Sequence, residues 1–119
     1  MSSVVSAHTV TEHFENRAPE VKAIYAAILK AAKVLGPVTE EPKKTSIHLV
    51  RKSAFAGIAT RKTALILTLK SATDLKSPRI LKREQASANR WHLETKLETA
   101  KEVDREIVGW LKKAYDLAG

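Results

Sequence analysis

The sequence predicts a single α+β domain over residues 1–119, with a four-stranded, mainly antiparallel sheet and two helices packed on one of its faces. Two segments, one near each end of the chain, repeat apolar residues with the period of a helix, whereas the segment between them alternates apolar and polar residues with the period of a strand. A chain of 119 residues buries roughly two-thirds of its unfolded surface, which suffices for one two-layer core. The order of the strands in the sheet is left open.

The N-terminal helix has a clear apolar pattern. It is predicted from Pro19 to Leu35, because its apolar residues follow the i, i+3, i+4, i+7 spacing and proline suits the first turn. Gly36 and Pro37 are expected to end it, since glycine accepts a left-handed cap and proline cannot continue a helix. Residues 1–8 are expected to be a flexible leader.

Three strands are predicted after a connection at residues 38–44. They cover residues 46–50, 53–60 and 63–69, and their short spacers favour an antiparallel meander, because a parallel crossover needs about a dozen residues. Within the second strand, simple alternation puts Phe55 and Ile58 on opposite faces, with Ile58 on the outer face away from the helices.

The second half of the chain is predicted as a connection, a strand and a helix. Residues 71–90 are expected to be a polar connection with a short helix at 81–88, followed by a fourth strand at 91–97. The last helix is expected to open with the capping box Thr99-x-x-Glu102. The outer sheet face is expected to be partly covered by the 71–90 connection or by a partner subunit, because its residues are small and partly apolar.

The basic residues are concentrated in the middle of the chain. From Lys43 to Arg90 there are twelve Lys or Arg and two acids, in a protein whose formal charge is +8. A basic excess indicates an anionic partner such as nucleic acid. The candidate anion- or nucleic-acid-binding residues are Lys43, Lys44, Arg61, Lys62, Lys76, Arg79, Lys82, Arg83 and Arg90.

The predicted hairpins divide this basic block. Lys43 and Lys44 would share one end of the sheet with Arg61 and Lys62, while Arg51-Lys52 would lie at the other end. The bases at 76–90 decide between two interpretations. If they fold back beside the first group, the block forms one anion site; otherwise it is a solvated rim that keeps the protein soluble.

His48, His92 and Glu94 are the candidate metal ligands. All three are expected on the outer sheet face, and two histidines with a carboxylate form a minimal metal set. Solvated side chains are the simpler interpretation. The chain has no G-x-S-x-G or S-x-x-K motif and no Gly-rich phosphate loop, so we predict no catalytic residue and no cofactor.

Composition favours the cytoplasm. Cysteine is absent, which excludes disulfides and thiolate metal sites. No run approaches the ~20 apolar residues of a membrane span, and the N-terminus lacks the basic and apolar regions of a signal peptide. We therefore expect a cytoplasmic protein without a membrane partner.

Three stretches carry a family resemblance: HFENRAPEVKAIY, LGPVTEEPKKTSIHLVRKSAFAGIATRK with the Leu-rich strand after it, and EVDREIVGWLKKAY. From Phe14 onward they make most of the chain resemble a bacterial family known only as domain of unknown function 5655. The resemblance implies a small α+β domain, found alone or attached to other modules. It brings no established catalytic residue.

Three functional hypotheses follow. The first is a non-enzymatic binding or interaction domain that uses the outer sheet face and the 71–90 connection for a protein or a small ligand, with a homodimer as an open possibility. The second is a nucleic-acid or polyanion binder that uses the basic block. The third is a metal-dependent enzyme centred on His48, His92 and Glu94.

Overall fold

A computed structural model describes residues 8–119, so the leader predicted at residues 1–8 lies, except for its last residue, outside the described residues. The elements in chain order are a 3₁₀ turn (Thr11–Phe14), α1 (Pro19–Leu35), β1 (Thr39–Pro42), β2 (Ile47–Val50), β3 (Ala54–Thr60), β4 (Leu65–Ser71), β5 (Ile80–Ser87), β6 (Arg90–Leu97), a second 3₁₀ turn (Ala100–Glu102) and α2 (Arg105–Leu117). The strands form one sheet in the order β1-β2-β3-β4-β6-β5, and every neighbouring pair is antiparallel.

The α+β class is confirmed, but the prediction of four strands is wrong, because residues 8–119 form a sheet of six. The connection expected at 38–44 contains β1, whose Glu40 and Glu41 pair with β2. The short helix expected at 81–88 is instead part of β5, which pairs along β6. The residues of β5 are mostly good helix formers, so cross-strand pairing overrides local propensity here.

Both helices pack against the same face of the sheet. Ile47, Ile58 and Leu67 lie opposite one another across β2, β3 and β4, and all three are fully buried in the core. The same core includes Ile28 of α1 and Leu111 of α2. Within residues 8–119, no helix covers the other face of the sheet.

A β-bulge changes which residues of β3 face the core. Leu49 pairs with Ala56, but its neighbour Val50 pairs with Ala54, so Phe55 is an extra residue on β3. A bulge of this kind turns two successive side chains towards one face. Phe55 and Ala56 are therefore both buried, and the prediction that placed Ile58 on the outer face is wrong.

The 72–79 segment does not cover the outer face. Leu75 lies beside Trp110 of α2 and the core residue Leu93, and Arg79 donates hydrogen bonds to Asp104 and Glu106. The segment thus closes the helical side of the sheet.

No helix among the described residues is long and apolar enough to cross a membrane.

The start of α2 also differs from the prediction. The capping box of Thr99 and Glu102 is present, but it stabilises the second 3₁₀ turn. The N-cap of α2 is Asp104, whose carboxylate accepts a hydrogen bond from the backbone nitrogen of Ile107 (3.2 Å).

Candidate functional site

The outer sheet face carries a row of small and polar residues across its four middle strands. His48 pairs with Gly57, Gly57 with Thr68, and Thr68 with Glu94. Because side chains alternate along each strand, all of these residues point away from the helices. The glycine therefore leaves a gap in the middle of the row.

A groove of about 330 Å³ occupies this gap. We call it the outer groove, and it is lined by Ser46, His48, Ala54, Phe55, Ala56, Gly57, Ile58, Ala59, Thr68, Lys70 and His92. Its volume falls within the range of about 300–1,000 Å³ that is typical of small-molecule sites. The floor is mainly apolar, and the polar side chains lie around it.

Gly57 keeps the groove open. A Cβ atom built on Gly57 would have only the Cβ of Thr68 within 4 Å, at 3.8 Å. A larger residue would therefore fit without disturbing the backbone and would project into the groove. Ala59, two residues along the same strand, adds only a methyl group.

The titratable side chains that line the outer groove are all basic. They are His48, Lys70 and His92. Lys70 donates a hydrogen bond to the hydroxyl of Ser53 (3.3 Å), and His92 Nδ1 lies 3.8 Å from the carboxylate of Glu84. The groove thus combines an apolar floor with a basic rim, which suits a ligand with an apolar body and an anionic group.

The candidate metal residues share the outer face, but they do not converge. β3 and β4 lie between the strands of His48 and His92, which separates their backbones by roughly 14 Å at the usual strand spacing. Glu94 lies 3.9 Å from the ammonium of Lys82. Among residues 8–119, no group of three His, Asp or Glu could hold a metal ion.

Four of the nine basic candidates lie at one end of the sheet. Lys43 and Lys44 are in the β1–β2 turn, and Arg61 and Lys62 are in the β3–β4 turn. Lys44 and Arg61 line a common cleft, whereas the ammonium of Lys43 lies 3.5 Å from the carboxylate of Glu41.

The other five basic candidates lie elsewhere, and four of them contact acids. Lys76 and Arg83 both bind the Asp74 carboxylate, at 3.0 and 2.6 Å, and the Lys76 hydrogen bond is the main cause of the lowered pKa of Asp74. Arg79 contacts Asp104 and Lys82 contacts Glu94, whereas Arg90 is at the β5–β6 turn. Because β5 and β1 are opposite edges of the sheet, the bases at 76–90 do not extend the group at 43–62.

A family model described as Domain of unknown function (DUF5655) matches residues 10–118. The chain belongs to the DUF5655 family. The match covers α1, all six strands and α2, and it confirms the resemblance inferred from the sequence. Comparison of this DUF5655 domain with curated proteins and with solved structures gave no match.

Sequence reasoning missed Lys70 as a residue of the outer groove of this DUF5655 protein. It lies at the end of a Leu-rich strand, and a period-two count from Thr68 places it on the same face. The pairing of Lys70 with His92 could not be predicted from the sequence, because β5 lies between β4 and β6 in the chain.

Proposed function

We propose that this DUF5655 domain is a binding domain that holds a small ligand with an apolar body and an anionic group in the outer groove. The observation that supports this most is the gap at Gly57, which opens a groove of about 330 Å³ on the sheet face opposite α1 and α2. We also propose that the domain acts in the bacterial cytoplasm, on the strength of its sequence.

The chemistry of the groove favours an amphipathic anion over a neutral apolar ligand. Ala54 and Ala59 supply apolar floor, and burial of apolar surface contributes about 25 cal/mol per Å². Lys70 lies at the rim and can donate a charge-assisted hydrogen bond, which is stronger than a neutral one. His48 and His92 also line the groove, and an imidazole N–H can donate a hydrogen bond to an anionic group.

The other two hypotheses have less support. A nucleic-acid interface needs a continuous basic surface, whereas the nine bases are spread over one end, one edge and one far turn of the sheet. A metal-dependent enzyme needs converging ligands, and two strands separate His48 from His92.

Octanoate and octanol are suitable probes, because they share an apolar chain and differ in the carboxylate. We expect octanoate to shift the backbone amide resonances of β3 and to bind more tightly than octanol. Gly57→Val should abolish this binding, because the new side chain occupies the groove. Lys70→Gln should weaken the binding of octanoate about tenfold, because it removes one charge-assisted hydrogen bond. It should leave the binding of octanol unchanged.

Lys96→Gln is the matched control, since Lys96 is on the outer face but outside the groove. It removes the same charge and should leave octanoate binding unchanged. Equal loss in both lysine variants would mean that net charge alone attracts the anion, and the proposal would fail. A wild-type dimer in sedimentation that Gly57→Val converts to a monomer would also overturn it, because the groove would then hold a second copy.

A further inference from the structure

A second concave surface, separate from the outer groove, lies at the end of the sheet that carries the β1–β2 and β3–β4 turns. It is a polar cleft of about 450 Å³. Three Lys or Arg side chains line it, each from a different segment: Arg17 before α1, Lys44 in the first turn and Arg61 in the second. We call it the turn-end cleft.

Thr60 holds both arginines of the turn-end cleft. Its hydroxyl accepts a hydrogen bond from Arg17 Nε (3.1 Å) and donates one to the backbone oxygen of His13 (2.7 Å). Its backbone oxygen accepts a hydrogen bond from Arg61 Nη1 (3.3 Å). Thr60 is buried, so the core of the domain fixes the point from which the two guanidinium groups extend.

Hydrogen bonds to backbone carbonyl oxygens fix the segments that carry these bases. The buried His13 donates from Nε2 to the carbonyl oxygen of Lys43 (2.8 Å), which ties the first turn to the 3₁₀ turn. The backbone nitrogen of Ala18 donates to the carbonyl oxygen of Lys62 (2.8 Å), which ties the second turn to the start of α1. Segments held in this way lose little backbone conformational entropy on binding.

The charges of the cleft are only partly compensated. Within residues 8–119, neither arginine nor Lys44 forms an ion pair. Of the two acids that line the cleft, Glu12 accepts hydrogen bonds from His8 Nδ1 and the backbone nitrogen of Thr9. Glu15 is exposed on the cleft wall.

We propose that the turn-end cleft binds the phosphate group of a small, polar, phosphorylated molecule. Guanidinium groups match phosphate oxygens with paired hydrogen bonds, and an ammonium group adds a point charge. The cleft volume leaves room for a body attached to the phosphate, and its mainly polar walls suit a polar body. This site does not depend on the outer groove.

Glycerol phosphate, inorganic phosphate and glycerol are the probes, titrated into the full chain by calorimetry. Both phosphates should bind and glycerol should not. Arg17→Gln and Arg61→Gln should each weaken glycerol phosphate about tenfold or more, because each removes a charge-assisted contact. Glu15→Gln should strengthen binding, since it removes a negative charge from the cleft wall.

Arg90→Gln is the matched control, because it removes the same charge at the opposite end of the sheet. It should change the affinity less than twofold. Equal weakening by Arg90→Gln would attribute binding to net charge and overturn the proposal. So would unchanged binding in both cleft variants, no phosphate binding by the wild type, or binding of single-stranded DNA in place of glycerol phosphate. Lys44→Gln, in an exposed turn, replaces any arginine variant that circular dichroism shows to be unfolded.

Discussion

The hydroxyl of Tyr115 fills the space in which a side chain at Gly36 would lie. The Tyr115 hydroxyl donates a hydrogen bond to the carbonyl oxygen of Pro37 (3.0 Å). A Cβ on Gly36 would overlap the hydroxyl oxygen of Tyr115. Gly36 has φ 150° and ψ −165°, a region essentially restricted to glycine. The glycine therefore ends α1 by allowing α2 to pack against it, and not by the left-handed cap that the sequence suggested.

Gly36→Ala should destabilise the domain by at least about 2 kcal/mol, because strain and steric overlap act together. Gly109→Ala is the control, since a Cβ at this exposed position of α2 meets nothing within 4 Å. It should stabilise the domain by about 0.5–1 kcal/mol, the helix propensity difference between glycine and alanine. Urea unfolding of both variants measures these changes in the free energy of unfolding. Changes of the same sign in the two variants would contradict the interpretation.

Tyr25 and Glu40 connect α1 to β1, and this contact makes the stability of the domain depend on pH in the alkaline range. The Tyr25 hydroxyl donates a hydrogen bond to the Glu40 carboxylate (2.5 Å). Burial, and then this hydrogen bond and the carboxylate charge, raise the pKa of the Tyr25 phenol well above its ordinary value. The unfolded chain therefore loses this proton at a lower pH than the folded chain does.

The stabilising effect of this pair should be complete below pH ~10 and decline above it, by up to about 1.4 kcal/mol per pH unit. Tyr25→Phe should remove that part of the slope. The measurement is the free energy of unfolding of wild type and variant across the alkaline range. A constant difference between them would show that the Tyr25 phenol does not have a raised pKa in the folded state.

Asp104 has two roles at the start of α2. Its carboxylate accepts from the Ile107 backbone nitrogen (3.2 Å) and from Arg79 (3.0 Å). The Arg79 hydrogen bond, and next the Ile107 hydrogen bond, lower the pKa of Asp104. A lowered pKa means that this contribution to stability is present above pH ~4 and is lost as the pH falls further.

Asp104→Ala should cost about 1–2 kcal/mol, because it removes the N-cap and the ion pair together. Asp104→Asn separates the two roles, since asparagine caps helices as well as aspartate does but carries no charge. It should keep most of the stability at neutral pH and lose the acid dependence. Thermal unfolding at neutral and acidic pH tests this, and equal losses in the two variants would rule out a capping role.

Periodicity predicted the core of the fold but not its departures from regularity. The spacing in α1 and the alternation in β4 arise from burial against one face, so they can be read directly. The extra residue Phe55 cannot, because a bulge depends on how β2 and β3 pair. β5 was not predicted for a related reason: its partner β6 follows it in the chain, and all of its residues after Ile80 are exposed.

The candidate sites show the same limit. The sequence placed His48 and His92 on the outer face, and strand alternation is enough for that. Their separation depends on strand order, which alternation does not define. Arg17 was not a candidate, because its contact with Thr60 joins residues far apart in the sequence. Sites built from turns therefore need the register of the whole sheet.

The edge strand β5 suggests a last prediction, about self-association. An exposed edge offers unpaired backbone groups to another chain, and charged residues and bulges oppose such pairing. β5 has both: Lys82, Arg83 and Glu84 are exposed, and register shifts flank them between Ile80 and Lys82 and between Gln85 and Ser87.

Replacing Lys82 and Glu84 together with valine should therefore cause concentration-dependent association, because it creates an apolar edge of high β-propensity. Replacing Lys96 and Glu98 with valine is the control. It also removes one base and one acid, but Lys96 is in β6, which has neighbours on both sides. Light scattering over a concentration series should show association of the first variant and none of the second. Association of both would assign the effect to surface hydrophobicity, and association of neither would mean that the two bulges alone protect the edge.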